Sequence, residues 1–110
     1  MTFIPTRLVP AAQREFRPSK HPGVEFCSLR FDKETGGGAV LLRMAPGCAY
    51  PAHRHTGGED VLVLEGELIV GPDRLGPGDF LYSQVDSVHA PRTETGCLLY
   101  ASFPLAVIDL

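Results

Sequence analysis

No part of this chain is apolar over anything near the roughly 20 residues that a membrane-spanning helix needs. Nor does the N-terminus, "MTFIPTRLVPAAQREFRP", offer an apolar run or a small-residue cleavage site of the kind that marks a secretory signal. Basic residues are sparse and unclustered. Ten lysines and arginines stand against thirteen acidic residues, a net charge of −3, so there is no electrostatic footprint for nucleic acid. Cysteine is scarcer still. Cys27, Cys48 and Cys97 are odd in number and lack a CxxC pair, which excludes a disulfide framework and a zinc ribbon and leaves reduced, mostly buried thiols as the expectation. Internal repeats and low-complexity tracts are missing too, and no long stretch carries a 3.6-residue apolar period. The chain reads as a soluble, cytoplasmic protein without a nucleic-acid or membrane partner.

What is present is a steady alternation of short apolar runs and turn signals. Apolar residues make up 44% and charged residues 21% of the 110, which suits one ordinary globular domain and not a disordered chain. Twelve glycines and ten prolines punctuate the whole length instead of forming a linker. Strands are expected at Val24–Phe31, Ala39–Met44, through His53 and His55, at Asp60–Val70 with a bend at Gly66, at Phe80–Ser83, Val88–Arg92 and Cys97–Phe103. "DKETGGG" and "GPDRLGPGD" read as turns. Short strands at close spacing predict an all-β, two-sheet or closed architecture of the jelly-roll kind. The division expected is a lead over residues 1–20, a barrel over 21–103 and a tail over 104–110. The unbroken run Val61–Leu64 predicts burial on both faces, the outer one against a second subunit in a homodimer.

The segment "GCAYPAHRHTGGEDVLVLEG" carries the chemistry. Residues i and i+2 of a strand point the same way, so His53 and His55 project together. The flexible "TGG" lets the chain reverse and return Glu59 to the same point. Two imidazoles and a carboxylate make a borderline-soft set suited to one divalent transition metal, iron, zinc, manganese, nickel or copper, and poorly suited to magnesium or calcium. Taken alone, H-x-H is a weak signal that two surface histidines would also produce.

The full frame is more specific. Gly47, His53, His55, Glu59 and Gly66 reproduce G-x5-H-x-H-x3-E-x6-G without a gap, and Gly78 and His89 stand at their places in G-x5-P-x-G-x2-H-x3-N. Gln84, Asp86 and Thr93 replace the proline, glycine and asparagine of that second motif. By these motifs the sequence resembles the cupins. "HPGVEFCSL", "LLRMAPGCAYPAHRHTGGEDVLVLEGEL" and "GDFLYSQVDSVHAPRTETGCLLYASF" narrow the resemblance to the ChrR-type cupin, the C-terminal domain of certain anti-sigma factors. The resemblance implies a double-stranded β-helix, a jelly-roll cupin barrel, with a metal held in its mouth by His53, His55, Glu59 and His89.

Around that site, Arg43 could reach into the barrel, or bury its stem and leave its head in water. Tyr82 and Gln84 are candidates to orient a substrate or a water. Strict alternation points Cys48 and Tyr50 away from the histidines unless Pro51 breaks it. Arg54, Glu65, Glu67 and His21 read as surface residues. Four protein ligands leave one or two positions on a five- or six-coordinate ion for a small-molecule substrate, so a metal-dependent enzyme is expected, a dioxygenase before an isomerase or lyase. The alternative is a non-catalytic sensor or regulatory module. Sigma binding in the resembled proteins lies in a separate N-terminal helical zinc domain, and only a short lead precedes the barrel here, so the regulatory reading ranks second.

Overall fold

The computed structural model describes residues 3–110; Met1 and Thr2, the start of the expected lead, lie outside the described residues. Its strands are β1 (Arg17–Pro18), β2 (Val24–Phe31), β3 (Gly36–Met44), β4 (His53–His55), β5 (Glu59–Gly66), β6 (Leu68–Val70), β7 (Asp73–Leu75), β8 (Phe80–Ser83), β9 (Ser87–His89), β10 (Cys97–Leu105) and β11 (Val107–Asp109). They form a six-stranded sheet in the order β1-β2-β3-β10-β5-β8, a three-stranded sheet β11-β4-β9, and the hairpin β6-β7. Every paired strand is antiparallel, and the fold is the jelly-roll double-stranded β-helix. Among the described residues no helix is long and apolar enough to cross a membrane.

The first hairpin turns on "DKET". The Asp32 carboxylate accepts from the Glu34 amide at 2.9 Å, and the Gly36 amide donates to the Asp32 carbonyl at 2.7 Å. Gly36, at φ +76°, both closes this turn and opens β3, and Gly37 and Gly38 continue the strand. β3 is clamped between β2 and β10, and a Cβ at Gly37 or Gly38 would stand 2.3 Å from the carbonyl oxygen of Pro104 or Arg30. Gly37 and Gly38 are therefore sheet interior, read as turn because close backbone approach leaves no mark in a sequence. "GPDRLGPGD" likewise hides a strand, since "GP" alone makes the reversal and β7 returns against β6 to bury Leu75.

Between the sheets Val24, Met44, Val61, Val63, Leu68, Leu99 and Ala101 form the main core. Each fully buried valine or leucine contributes about 1.5–3 kcal/mol by leaving water. A smaller cluster of Cys27, Leu41 and Leu98 lies on the outer face of the large sheet, with Phe16, Leu29 and Tyr100 packed against it. Through Phe16 the lead thus supplies cover for part of that outer face. On β5 the cover is incomplete: Val61 and Val63 are buried, while Leu62 is half-buried and Leu64 is exposed.

Both ends reach further into the fold than the expected division at 20 and 104. β1 edges the large sheet within the lead, and β11 pairs with β4 within the tail. The tail is held because β4 would otherwise present an open edge beside the histidines.

Candidate metal centre

Two paired strands of the small sheet, β4 and β9, bring the histidines together. In β4 the exposure alternates buried, exposed, buried, so His53 and His55 face inward and Arg54 faces out. Antiparallel pairing sets His53 directly opposite His89 of β9. The left-handed turn before β9 makes this register possible. Asp86, at the motif's glycine position, has φ +66° and donates its amide to the His55 carbonyl at 2.7 Å. Aspartate is among the few side chains that accept this conformation, so the turn survives the loss of glycine. Thr93, at the motif's asparagine position, is buried, donates to the Glu67 carbonyl at 2.5 Å and accepts from the Gly96 amide at 3.0 Å.

Glu59 comes from the other sheet, as the first residue of β5. The reversal that delivers it depends on Gly58, at φ +83°, where a Cβ would stand 2.6 Å from the Tyr82 hydroxyl oxygen. Only glycine fits both constraints.

One ligand atom from each of His53, His55, Glu59 and His89 lies within 4.8 Å of the others, and the first three residues are buried. The three imidazoles meet edge to face with centroids 4.4–4.6 Å apart. His53 Nδ1 stands 2.9 Å from the Pro51 carbonyl, which can only accept. The proton therefore sits on Nδ1 and the Nε2 lone pair is free for a cation. His55 Nε2 is 3.5 Å from Glu59 Oε1, and His55 Nδ1 is buried without a hydrogen-bond partner.

Burial sets the electrostatics. Desolvation, then the neighbouring His53, brings His55 down to about 4. Desolvation, then His53 and His55, does the same to His89, also to about 4. His53 is lowered as well, chiefly by burial. Burial and then the charge of Asp60 push Glu59 up to about 8. Near neutral pH the three imidazoles are neutral donors, and a buried carboxyl awaits a positive charge to ionise it. The donor set, its spacing and its dryness all fit a divalent transition metal.

His53, Glu59 and His89 also line a cavity of about 430 Å³ between the sheets. Its walls are mostly hydrocarbon, among them Phe26, Leu42, Val61, Leu81 and Leu99. Two residues join it that the sequence placed elsewhere. Tyr50 lies edge-on to the His53 ring at 4.7 Å, because residues 50–52 are not strand and alternation fails at Pro51. Burial first, then the charges of Asp109 and Glu59, raise its phenol above the usual value. His21 is half-buried and not a surface residue; it packs on Tyr50 at 4.7 Å, and its Nε2 lies 3.5 Å from Asp109 Oδ2. No signal in the sequence pairs residue 21 with residue 50, whereas Pro51 did signal the break beside Tyr50.

The other candidates lie outside the cavity. Arg43 is exposed, its guanidinium 3.8 Å above the centre of the Phe16 ring on the outer face of β3, so its stem is packed and its head is wet. Tyr82, on the edge strand β8, is 54% exposed, and Gln84, just past its end, is exposed as well. Cys48 points its sulfur toward the Pro22 carbonyl at 3.5 Å, away from the donors. All three cysteines are free, with Cys27 and Cys97 buried. Glu65 is exposed as expected, but Glu67 is half-buried and accepts from Arg74 at 2.8 Å.

Known proteins share this architecture. The ChrR cupin-like domain family matches residues 6–104. Over 77 residues the chain is 39% identical to the anti-sigma-E factor ChrR of Cereibacter sphaeroides, covering 64% of this chain and 36% of that protein. Over 60 residues it is 40% identical to the dimethylsulfoniopropionate lyase DddQ of Ruegeria pomeroyi, covering 50% and 30% respectively. The chain thus spans about a third of the length of these relatives. A crystal structure of an acetylacetone dioxygenase from Acinetobacter johnsonii superposes with a TM-score of 0.76 over 94% of this chain and 76% of that one, at 13% identity, a likeness of fold. With the family matched along nearly its whole length, this chain belongs to the ChrR cupin-like domain family.

Proposed function

We propose that this protein is a mononuclear metal-dependent enzyme acting on a small molecule, with a dioxygenase as the leading reaction class. The observation that carries the reading is the union of donor cluster and cavity: His53, Glu59 and His89 line about 430 Å³ of mostly apolar space. A closed structural zinc site would have no use for such a space.

His53, His55, Glu59 and His89 would hold the ion. A divalent transition metal supplies Lewis acidity there, and iron adds redox chemistry. The protein holds the imidazoles neutral, keeps bulk water from the donors and offers hydrocarbon walls to the body of a substrate. No other side chain needs to carry a proton for an oxygenase, whereas a lyase or isomerase would need a base.

The second reading is a metal-binding sensor or regulatory module. The 39% identity with an anti-sigma factor favours it, and the limited coverage of that relative leaves its partner binding outside what this chain need share. The expected homodimer stays with either reading as a proposal, supported by Leu64, Phe80 and Tyr82, which remain exposed on the outer face of β5 and β8.

Elemental analysis of untagged protein purified without added metal separates the two. Near-stoichiometric iron, manganese, copper or nickel, followed by oxygen uptake with small carbonyl or phenolic compounds, supports the enzyme. Zinc that resists exchange for iron supports the sensor. Absence of metal after reconstitution would overturn both.

A further inference from the structure

The cavity has two kinds of wall. Leu42, Val61 and Leu99 of the large sheet present hydrocarbon. From the small sheet and the segments leading into β2 and β4 comes a row of rings packed edge to face: His89 on His53 at 4.6 Å, His53 on Tyr50 at 4.7 Å, and Tyr50 on His21 at 4.7 Å. Outside the donor cluster the polar lining residues are Ser19, Lys20, His21 and Tyr50.

Two of these four are engaged, whereas His21 Nε2 is buried without a hydrogen-bond partner. The Ser19 hydroxyl accepts from the His21 amide and donates to the His21 carbonyl, both at 3.0 Å. Lys20 forms an ion pair with Asp109. Asp109 also stands 3.5 Å from His21 Nε2, so β11 grips the lead at the point where it backs the Tyr50 ring. Tyr50 is therefore the hydroxyl-bearing residue that combines cavity exposure with direct contact to a metal donor.

The geometry points to Tyr50 as the residue that recognises a second oxygen of the ligand, with His21 and Asp109 as positioning residues behind its ring. Resting on the reading of this cavity as a small-molecule site, it defines the substrate class. That class is a compound apolar along one side, with one oxygen function at the donor cluster and a second, hydroxyl or carbonyl, oxygen at Tyr50. A phenol on a mostly apolar cavity wall discriminates, because a ligand lacking the matching oxygen forgoes the hydrogen bond that this hydroxyl offers.

The test is titration calorimetry on the full chain loaded with zinc, using benzoate, 3-hydroxybenzoate and 4-hydroxybenzoate as probes, with zinc content measured for each variant. At least one hydroxybenzoate should bind wild type about tenfold more tightly than benzoate, the effect of one added buried hydrogen bond. Tyr50→Phe should erase that preference while benzoate affinity and zinc content stay as in wild type. His21→Ala should lose part of the preference, and His21→Phe, which keeps a ring against Tyr50, should restore it. Benzoate binding without any hydroxyl preference overturns the role of Tyr50 and leaves the small-molecule site standing. A Tyr50→Phe protein that keeps the preference, or that loses its zinc, also overturns it. Failure of all three probes to bind wild type overturns the recognition proposal together with the substrate class it defines.

Discussion

His55 Nε2 and His89 Nε2 face each other at 2.7 Å across β4 and β9. Two neutral nitrogens approach this closely only if one carries a proton and the other a lone pair. Without a cation between them, one of the pair would have to donate to the other.

That proton should be visible by NMR. Metal-free protein near pH 7 should show a downfield imidazole N–H resonance protected from exchange, and one equivalent of zinc should remove it. Its persistence in zinc-loaded protein would mean that the two histidines do not ligate together. His53→Ala and Glu59→Ala should likewise lose most of the bound metal by elemental analysis, and His21→Ala should keep it.

Acid–base behaviour follows from the burial of the same groups. Glu59, raised to about 8, keeps a proton in the folded state that the unfolded chain gives up near its ordinary value, so its contribution falls as pH rises toward 8. His55 and His89, lowered to about 4, must stay neutral on folding, so their contribution falls as pH drops below the ordinary histidine value. With two histidines opposing one carboxyl at lower pH, metal-free protein should be most stable near pH 6–7. Metal binding at pH 7 should release about one proton per ion from Glu59, measurable in a pH-stat. A release close to zero would place Glu59 outside the ligand set.

Asp86 offers a test of the turn that aims His89. Its left-handed backbone suits glycine, so Asp86→Gly should change stability by no more than about 0.5 kcal/mol. Asp86→Val should cost about 1–2 kcal/mol in urea unfolding and weaken metal retention, since a branched side chain resists that conformation. Equal stability of the two variants would remove the turn from the account of the site.

Gly58 should tolerate nothing larger. Gly58→Ala combines a left-handed backbone with a close approach to the Tyr82 hydroxyl, and should lower stability by about 1–3 kcal/mol. Adding Tyr82→Phe should recover part of the loss by removing the opposing oxygen. No recovery would leave backbone strain alone responsible.

The sequence by itself determined the fold class and named the four side chains that the structure brings together. Strand signals in "VEFCSLRF" and "DVLVLEG" are local, because alternation and turn residues report their own backbone; β2 has its expected bounds, and the expected run 60–70 appears as β5 and β6, parted after the bend at Gly66. His53, His55 and Glu59 were legible for the same reason, being joined by one short turn. His89 was legible through its motif, although Asp86 had replaced the glycine that makes its turn.

Only the tertiary structure decided what surrounds them. His21 reaches Tyr50 from 29 positions away, and Asp109 reaches His21 from the far end of the chain. Arg43, Tyr82 and Gln84 faced solvent because the twist and edges of the sheets, which no local pattern encodes, set the outward direction. The "GGG" of β3 looked like a turn because a glycine needed for close backbone approach and one needed for a reversal are the same letter. Local backbone preference writes strands and motif into the sequence, whereas the lining of the cavity arises from long-range packing that exists only once the two sheets have closed.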